Sequence, residues 1–254
     1  MPPTGRAVGP FDVVVVGEIT RDLALRLAGE PAVGASTAVV ERREMLGGKG
    51  ANQAVAAAQL GARVGLLGVV GDDAVGDQLL ATAAADGIDT ASVARRVDAP
   101  TGLIVDVVDD RHRWRYLEHR PEALWVTAGD VAAAEPAIRV AASTVVQLQQ
   151  PAPAALAAAR LARDAGGRVV LDGAVGGAAR DELLRLADVV RADDQETALL
   201  AGSPVRSVDD ARRTARALVE GFGVSVVAFA VGSDGNLVVW DGGDVLVPLT
   251  GGPV

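Results

Sequence analysis

What most constrains this chain is a recurrent alternation, in which short apolar runs trade places with stretches of helical character. Phe11-Asp12-Val13-Val14-Val15-Val16-Gly17 is a β-branched run closed by glycine, the pattern of a strand buried on both faces. Ala51 to Leu60 is alanine-rich, with Gly61 placed to end a helix. Arg63 to Leu67 reads as the next strand, and Asp73 to Asp86 as a helix stopped by Gly87. The rhythm resumes downstream. Thr144 to Leu148, Arg168 to Leu171, Asp188 to Arg191 and Ser225 to Val231 read as strands. Between them Pro151 opens a helix reaching about Ala165, a shorter helix runs from Asp181 to Leu186, and another from Val208 to Glu220. Strands separated by helices of this length predict a three-layer α/β/α fold around a mostly parallel sheet.

Two stretches break the rhythm. Asp22 to Glu44 alternates in character, and Thr101 to Leu117 reads as strands around an Asp109-Asp110 turn. They fit a small β lid over the sheet's edge, or a pair of surface hairpins with no gating role. Thr127-Ala128-Gly129-Asp130 is a capping-box pattern that restarts the α/β alternation. The expected organisation is a single domain over residues 1–254, with lid segments at about 20–45 and 99–124.

Composition narrows the function classes. Aromatics make up only 3% of the 254 residues, so the core must be built from Ala, Val and Leu. Cysteine is absent, which removes disulfides, thiolate catalysis and cysteine metal sites, and makes a cytoplasmic protein the natural expectation. Runs such as Val13–Val16 and Ser225–Val231 are too short to cross a bilayer, and the polar lead Met1 to Gly5 lacks the apolar core of a signal peptide. A formal charge of −9 argues against nucleic-acid or membrane-surface partners, although Arg111-His112-Arg113-Trp114-Arg115 is locally basic. No Gly-x-Gly-x-x-Gly follows the first strand, so a dinucleotide-binding dehydrogenase is excluded.

The strongest local signal is Gly47-Gly48-Lys49-Gly50-Ala51-Asn52-Gln53-Ala54, running into the alanine-rich helix. Glycines let a backbone approach a ligand closely, and a helix start supplies unpaired N–H groups. Lys49, the only lysine in the chain, and Asn52 add donors of the kind that read hydroxyls. The spacing is not that of a Walker A loop. Taken alone, the string also fits an ordinary strand-to-helix connection, and Asp22 a turn or cap aspartate.

The string resembles the N-terminal signature of the ribokinase-like (pfkB) carbohydrate kinases, and other segments resemble that family in the same order. Gly17-Glu18-Ile19-Thr20-Arg21-Asp22, Gly71-Asp72-Asp73-Ala74-Val75-Gly76-Asp77 and Gly87-Ile88-Asp89-Thr90 are similar to its early stretches. Val146-Gln147-Leu148-Gln149-Gln150-Pro151, Val190 to Gly202 and Val231-Gly232-Ser233-Asp234-Gly235 are similar to its later ones. The resemblance implies transfer of the ATP γ-phosphate to a sugar hydroxyl, with a ribose-like sugar as the first expectation. It implies sugar binding by Asp22, Gly47, Gly48, Lys49, Asn52 and Gln149, and nucleotide binding by Asp193, Gly232 and Gly235. It also implies Mg²⁺ at Glu196 and Asp193, a monovalent cation such as K⁺, and a homodimer formed through the β lid.

Departures accompany it. The family's Asn-x-x-Glu stands here as Asp193-Asp194-Gln195-Glu196, whose carboxylates at i and i+3 would share a helical face or merely decorate a helix start. Gln149 replaces the family's glutamate, and Pro121-Glu122-Ala123 its Gly-Ala-Asn. His112 and His119 suggest no role. Trp114, Tyr116 and Trp125 fit packing, substrate cover or a dimer contact. The family's Asp-Thr-x-Gly-Ala-Gly-Asp, whose last aspartate takes the hydroxyl proton, does not occur in residues 1–254. The expectation is that this aspartate lies beyond Val254 and that residues 1–254 alone are inactive, with Asp172 and Asp193 left as the carboxylates that could substitute. The rival is a non-catalytic sugar-binding or interaction protein derived from a sugar kinase.

Overall fold

A computed structural model describes residues 9–111 and 113–249, and the chain forms two compact units. One comprises residues 17–126, the other residues 9–16 with 127–249. The second boundary falls at Thr127, where the capping-box pattern restarts the alternation. The chain enters on β1 (Val13–Val16), whose last three valines are fully buried.

Residues 17–126 hold β2 (Thr20–Leu27), β3 (Val39–Gly47), α1 (Lys49–Gln59), β4 (Val64–Leu67), β5 (Val69–Gly71), α2 (Ala74–Ala85), β6 (Ile88–Asp89), β7 (Ala94–Arg96), β8 (Leu103–Val108) and β9 (Trp114–His119). The two stretches that broke the rhythm come together as one four-stranded sheet, in the order β3-β2-β8-β9. Strand β2 runs antiparallel to β3 and parallel to β8, and β8 antiparallel to β9. Asp22 stands opposite Met45 and Ile104, and Ala24 opposite Arg43 and Asp106. Side chains in register share a face, and alternate residues of a strand do too. Asp22 and Asp106 therefore lie on the same face of this sheet. The turn between β8 and β9 centres on Asp109, which is 1% exposed and accepts from the N–H groups of Arg111 and Arg113 and from the Arg113 guanidinium. Helix α2 begins where the sequence predicts, because the Asp73 carboxylate caps it by accepting from the Gly76 N–H at 2.7 Å. Helix α1 starts at Lys49, two residues before the predicted Ala51.

The other unit continues with α3 (Ala128–Ala133), α4 (Glu135–Val140), β10 (Ser143–Gln147), α5 (Ala152–Asp164), β11 (Arg168–Asp172), α6 (Ala178–Leu186), β12 (Val189–Ala192), α7 (Asp194–Ala201), α8 (Val208–Phe222), β13 (Val226–Val231), β14 (Gly235–Trp240) and β15 (Gly243–Val247). Its strands order as β15-β14-β13-β12-β11-β10-β1, parallel from β1 through β13 and antiparallel over β14 and β15. Helix α3 carries the predicted capping box of Thr127 and Asp130. Helix α5 buries Ala154, Ala155, Ala158, Ala159 and Ala162, one helical stripe of small side chains that brings its backbone close to β10 and β11. That stripe is how an aromatic-poor chain fills its core. Within the described residues, the fold is the mostly parallel α/β sheet with helices that the alternation predicts.

Candidate functional site

In residues 17–126 the glycine string forms a tight seat for a carboxylate. Gly48 precedes α1 with φ 88°, and a Cβ there would lie 2.7 Å from the Glu18 carbonyl oxygen. A Cβ on Gly50 would lie 2.5 Å from the Gly17 carbonyl carbon, while the Ala51 N–H donates to the Glu18 oxygen at 3.0 Å. The start of α1 is thus pressed onto the backbone of Gly17 and Glu18, and no side chain caps it. A Cβ on Gly47 would fall 1.9 Å from Asp22 Cγ, so the Asp22 carboxyl occupies the space a side chain would take. The Thr20 hydroxyl donates to Asp22 Oδ1 at 2.8 Å, and the Gly48 N–H also donates to this carboxylate. Burial pushes the Asp22 carboxyl above its usual range and the charge of Asp106 adds to the rise, against the pull of the two hydrogen bonds. Lys49 is half-buried and Asn52 exposed, three residues apart on one side of α1. A fixed acceptor thus stands beside a helix start with two donor side chains.

Three participants escape the sequence reading. Thr20 orients Asp22. Arg120 bridges Glu18, at 3.3 Å, and Glu118, while burial pushes the Glu18 carboxyl up and Arg120 draws it back. Asp106, a lone acid in Leu-Ile-Val-Asp-Val-Val, lies on the Asp22 face. The signal that could have found it is that break in an otherwise apolar strand.

The remaining predicted residues belong to the other unit. Gln149 is exposed, and its Oε1 accepts from the amide of fully buried Gln147 at 3.0 Å. Asp193 does not share a helical face with Glu196, because it is the N-cap of α7 and its backbone is extended. Its side chain accepts from the Glu196 N–H at 2.9 Å, and Glu196 returns the bond to the Asp193 N–H at 2.9 Å. The reciprocal cap, satisfying otherwise orphaned helix donors, turns both side chains toward the backbone. One oxygen of each carboxylate is committed to this cap, so the pair fits Mg²⁺ only as a minor contributor beside water and phosphate. Among the described residues no three His, Cys, Asp or Glu side chains converge on a metal position. Asp194, rather than Asp193, reaches the glycine turn, accepting from the Gly232 N–H at 2.9 Å. Gly232 and Gly235 have φ 48° and 120°, and a Cβ on Gly235 would strike the Val247 carbonyl oxygen at 2.1 Å. The turn's glycines thus serve its own packing, with the Gly232 N–H taken by Asp194 and Gly235 buried against β15. Asp172 accepts from Arg191 at 3.2 Å. His112 and residues 250–254 lie outside the described residues, and no helix among those described is long and apolar enough to cross a membrane.

Comparison with known proteins meets this geometry. The pfkB family carbohydrate kinase pattern matches residues 11–250. A ribokinase of Staphylococcus aureus is 30% identical over 225 residues, covering 88% of this chain and 74% of its own length. A bifunctional ribokinase/ribose-5-phosphate isomerase A of Fructilactobacillus sanfranciscensis is 28% identical over 237 residues, 93% of this chain but only 44% of that protein, so the chain spans under half of that relative. The structure of Arabidopsis thaliana ribokinase complexed with ribose and ATP has a TM-score of 0.76 and 23% identity, covers 94% of this chain and 78% of its own, and speaks to the fold. With the glycine string, the carboxylate seat and the parallel sheet in place, the chain belongs to the pfkB family of carbohydrate kinases.

Proposed function

We propose that this chain serves an ATP-dependent kinase that phosphorylates a hydroxyl of a ribose-like sugar. The observation that carries the reading is Asp22, held against Gly47 with Thr20 and Gly48 donating to it. A buried acceptor fixed in this way is preorganised for sugar hydroxyls. Lys49 and Asn52 would donate to other sugar oxygens, Gly47 and Gly48 would let the ring approach the backbone, and Gln149 would contribute an amide. On the nucleotide side, Gly232 and Gly235 would lie along the phosphates, with Asp193 and Glu196 touching Mg²⁺ through water. Magnesium and a monovalent cation such as K⁺ would offset phosphate charge when bound.

The sheet β3-β2-β8-β9 would act as a lid and as the dimer contact, since Val39, Val40, Met45, Trp114, Tyr116 and Leu117 are exposed on it. Neither Asp172, engaged by Arg191, nor Asp193, engaged in its cap, is proposed as catalytic base. Calorimetry with a panel of pentoses and nucleosides tests the core of the proposal. The best ligand should lose roughly 1–3 kcal/mol of binding in Asp22→Ala. Equal affinity of parent and variant rejects the site.

A further inference from the structure

The lid sheet holds a carboxylate that its fold does not explain. Around it, charges on the Asp22 face are matched: Glu41 pairs with Arg26 and Arg43, and Glu118 with Arg120. Asp22 itself is met by Thr20 and Gly48. Asp106 differs. Its Oδ1 is closed off from solvent and has no hydrogen-bond partner, although the residue as a whole is only half-buried. Nothing in a strand calls for an acid in the middle of Leu-Ile-Val-Asp-Val-Val. An ionised oxygen deprived of water and of a donor is unfavourable, and each such group in a native fold needs its own explanation.

Its surroundings supply one. In register Asp106 lies between Ala24 on β2 and Tyr116 on β9, two residues along β8 from the position opposite Asp22. Ala24 is small and leaves space over the sheet. Tyr116 is 62% exposed and stacks with Trp114 at 6.4 Å, so the β9 side of this face is open although Oδ1 itself is covered. Burial pushes the Asp106 carboxyl above its usual range, and its charge in turn raises Asp22, as expected for two acids sharing a face that lacks a bound donor.

We propose that Asp106 is a specificity-determining residue, whose carboxylate accepts a hydrogen bond from a donor substituent, hydroxyl or ammonium, on the sugar held at Asp22. This rests on the sugar-kinase reading above. A sugar lacking that substituent leaves Asp106 unmatched and is disfavoured, because a site built to accept a donor discriminates against its absence.

The test is calorimetry on the chain, Asp106→Asn and Asp106→Leu, using D-ribose, D-glucose, D-glucosamine and their single-deoxy analogues. The parent should prefer its best sugar over one deoxy or non-amino analogue by roughly ten- to a hundredfold. Asp106→Leu should bring that ratio close to one by weakening the sugar and not the analogue. If glucosamine leads in the parent and loses its lead in Asp106→Asn, the donor is an ammonium. If a neutral sugar leads and one deoxy analogue falls behind in the parent alone, it is a hydroxyl. Should the leucine variant fail to fold, seen by circular dichroism, the shape-preserving asparagine variant decides. Sugar binding with the same selectivity in parent and variants overturns the Asp106 assignment and leaves the kinase reading standing. A parent that binds no sugar overturns both.

Discussion

The four-stranded sheet of residues 17–126 and the mostly parallel sheet of the other unit put their apolar residues to opposite ends. In the parallel sheet Val14, Val15, Val16, Val146, Leu171, Val190 and Val227 are essentially closed to solvent. In the four-stranded sheet every residue of β8 is half-buried, and β9 exposes Trp114, Tyr116 and Leu117. One sheet spends its apolar side chains on a core. The other holds them at a surface beside Arg-carboxylate pairs and the unmatched Asp106. The difference teaches how each sheet is held: burial stabilises the first, while the second leaves apolar and charged side chains at the surface, where the proposed sugar site lies.

The comparison breaks if the two sheets respond alike to truncation. Phe229→Ala, at a side chain 1% exposed on β13, should cost about 3–5 kcal/mol in denaturant unfolding. Leu117→Ala on β9 should change stability by no more than about 0.5 kcal/mol. Similar losses would show that the four-stranded sheet is packed as a core.

Gly47→Ala sharpens the contrast from the side of the four-stranded sheet. The new Cβ would occupy the place of the Asp22 carboxyl, so sugar binding should weaken by about 1–3 kcal/mol, read by calorimetry. Binding equal to the parent would mean that Asp22 can move without consequence.

In the parallel-sheet unit, Asp193→Ala removes the cap of α7 and should cost about 0.5–2 kcal/mol of stability in a thermal melt. If the cap is its whole role, ATP affinity measured by nucleotide titration stays unchanged. A parallel loss of Mg²⁺-dependent ATP binding would assign it a second role.

The smallest effect is a pH dependence in the four-stranded sheet. Asp22 and Asp106 are raised from the ordinary 3.8 in the folded chain, so the folded state holds their protons more tightly and stability rises as pH falls through their folded values. Asp109 runs the other way. Burial opposes its ionisation, yet the N–H groups of Arg113 and Arg111 and the Arg113 guanidinium hold it at about 2. Its contribution is present above 3.8 and is lost between 3.8 and about 2. Unfolding of this sheet, followed by the fluorescence of Trp114 in a Trp125→Phe, Trp240→Phe background, should therefore firm up on mild acidification and loosen below 3.8. A monotonic curve would contradict the opposed shifts.

Much of the architecture was legible because burial on both faces leaves a plain trace. Val13–Val16 and Arg168–Asp172 need apolar, β-branched residues, and helices that cover them need a stripe such as the alanines of α5. Asp73 and Thr127 announced their helices because a capping carboxylate or hydroxyl acts on the next three residues. The short strands β5, β6 and β7 left no such trace, being two or three residues long, and β14 and β15 were missed although Asp241-Gly242, the two-residue turn between them, is a hairpin signal.

By itself, then, the sequence determined the parallel α/β alternation, the carboxylate-and-glycine signature at Asp22 and Gly47–Asn52, and the family these imply. All are local patterns, set by periodicity or by neighbours along the chain. Tertiary structure alone decided that β2 and β8, some 80 residues apart, pair in parallel and bring Asp106 to the face of Asp22. It also decided that Asp194 holds the Gly232 turn, whereas the Asp193–Glu196 cap is a local pattern of the Thr127–Asp130 kind that the sequence already carried. Register and hydrogen-bond competition between distant segments are set by the packed whole, and no single stretch of sequence encodes them.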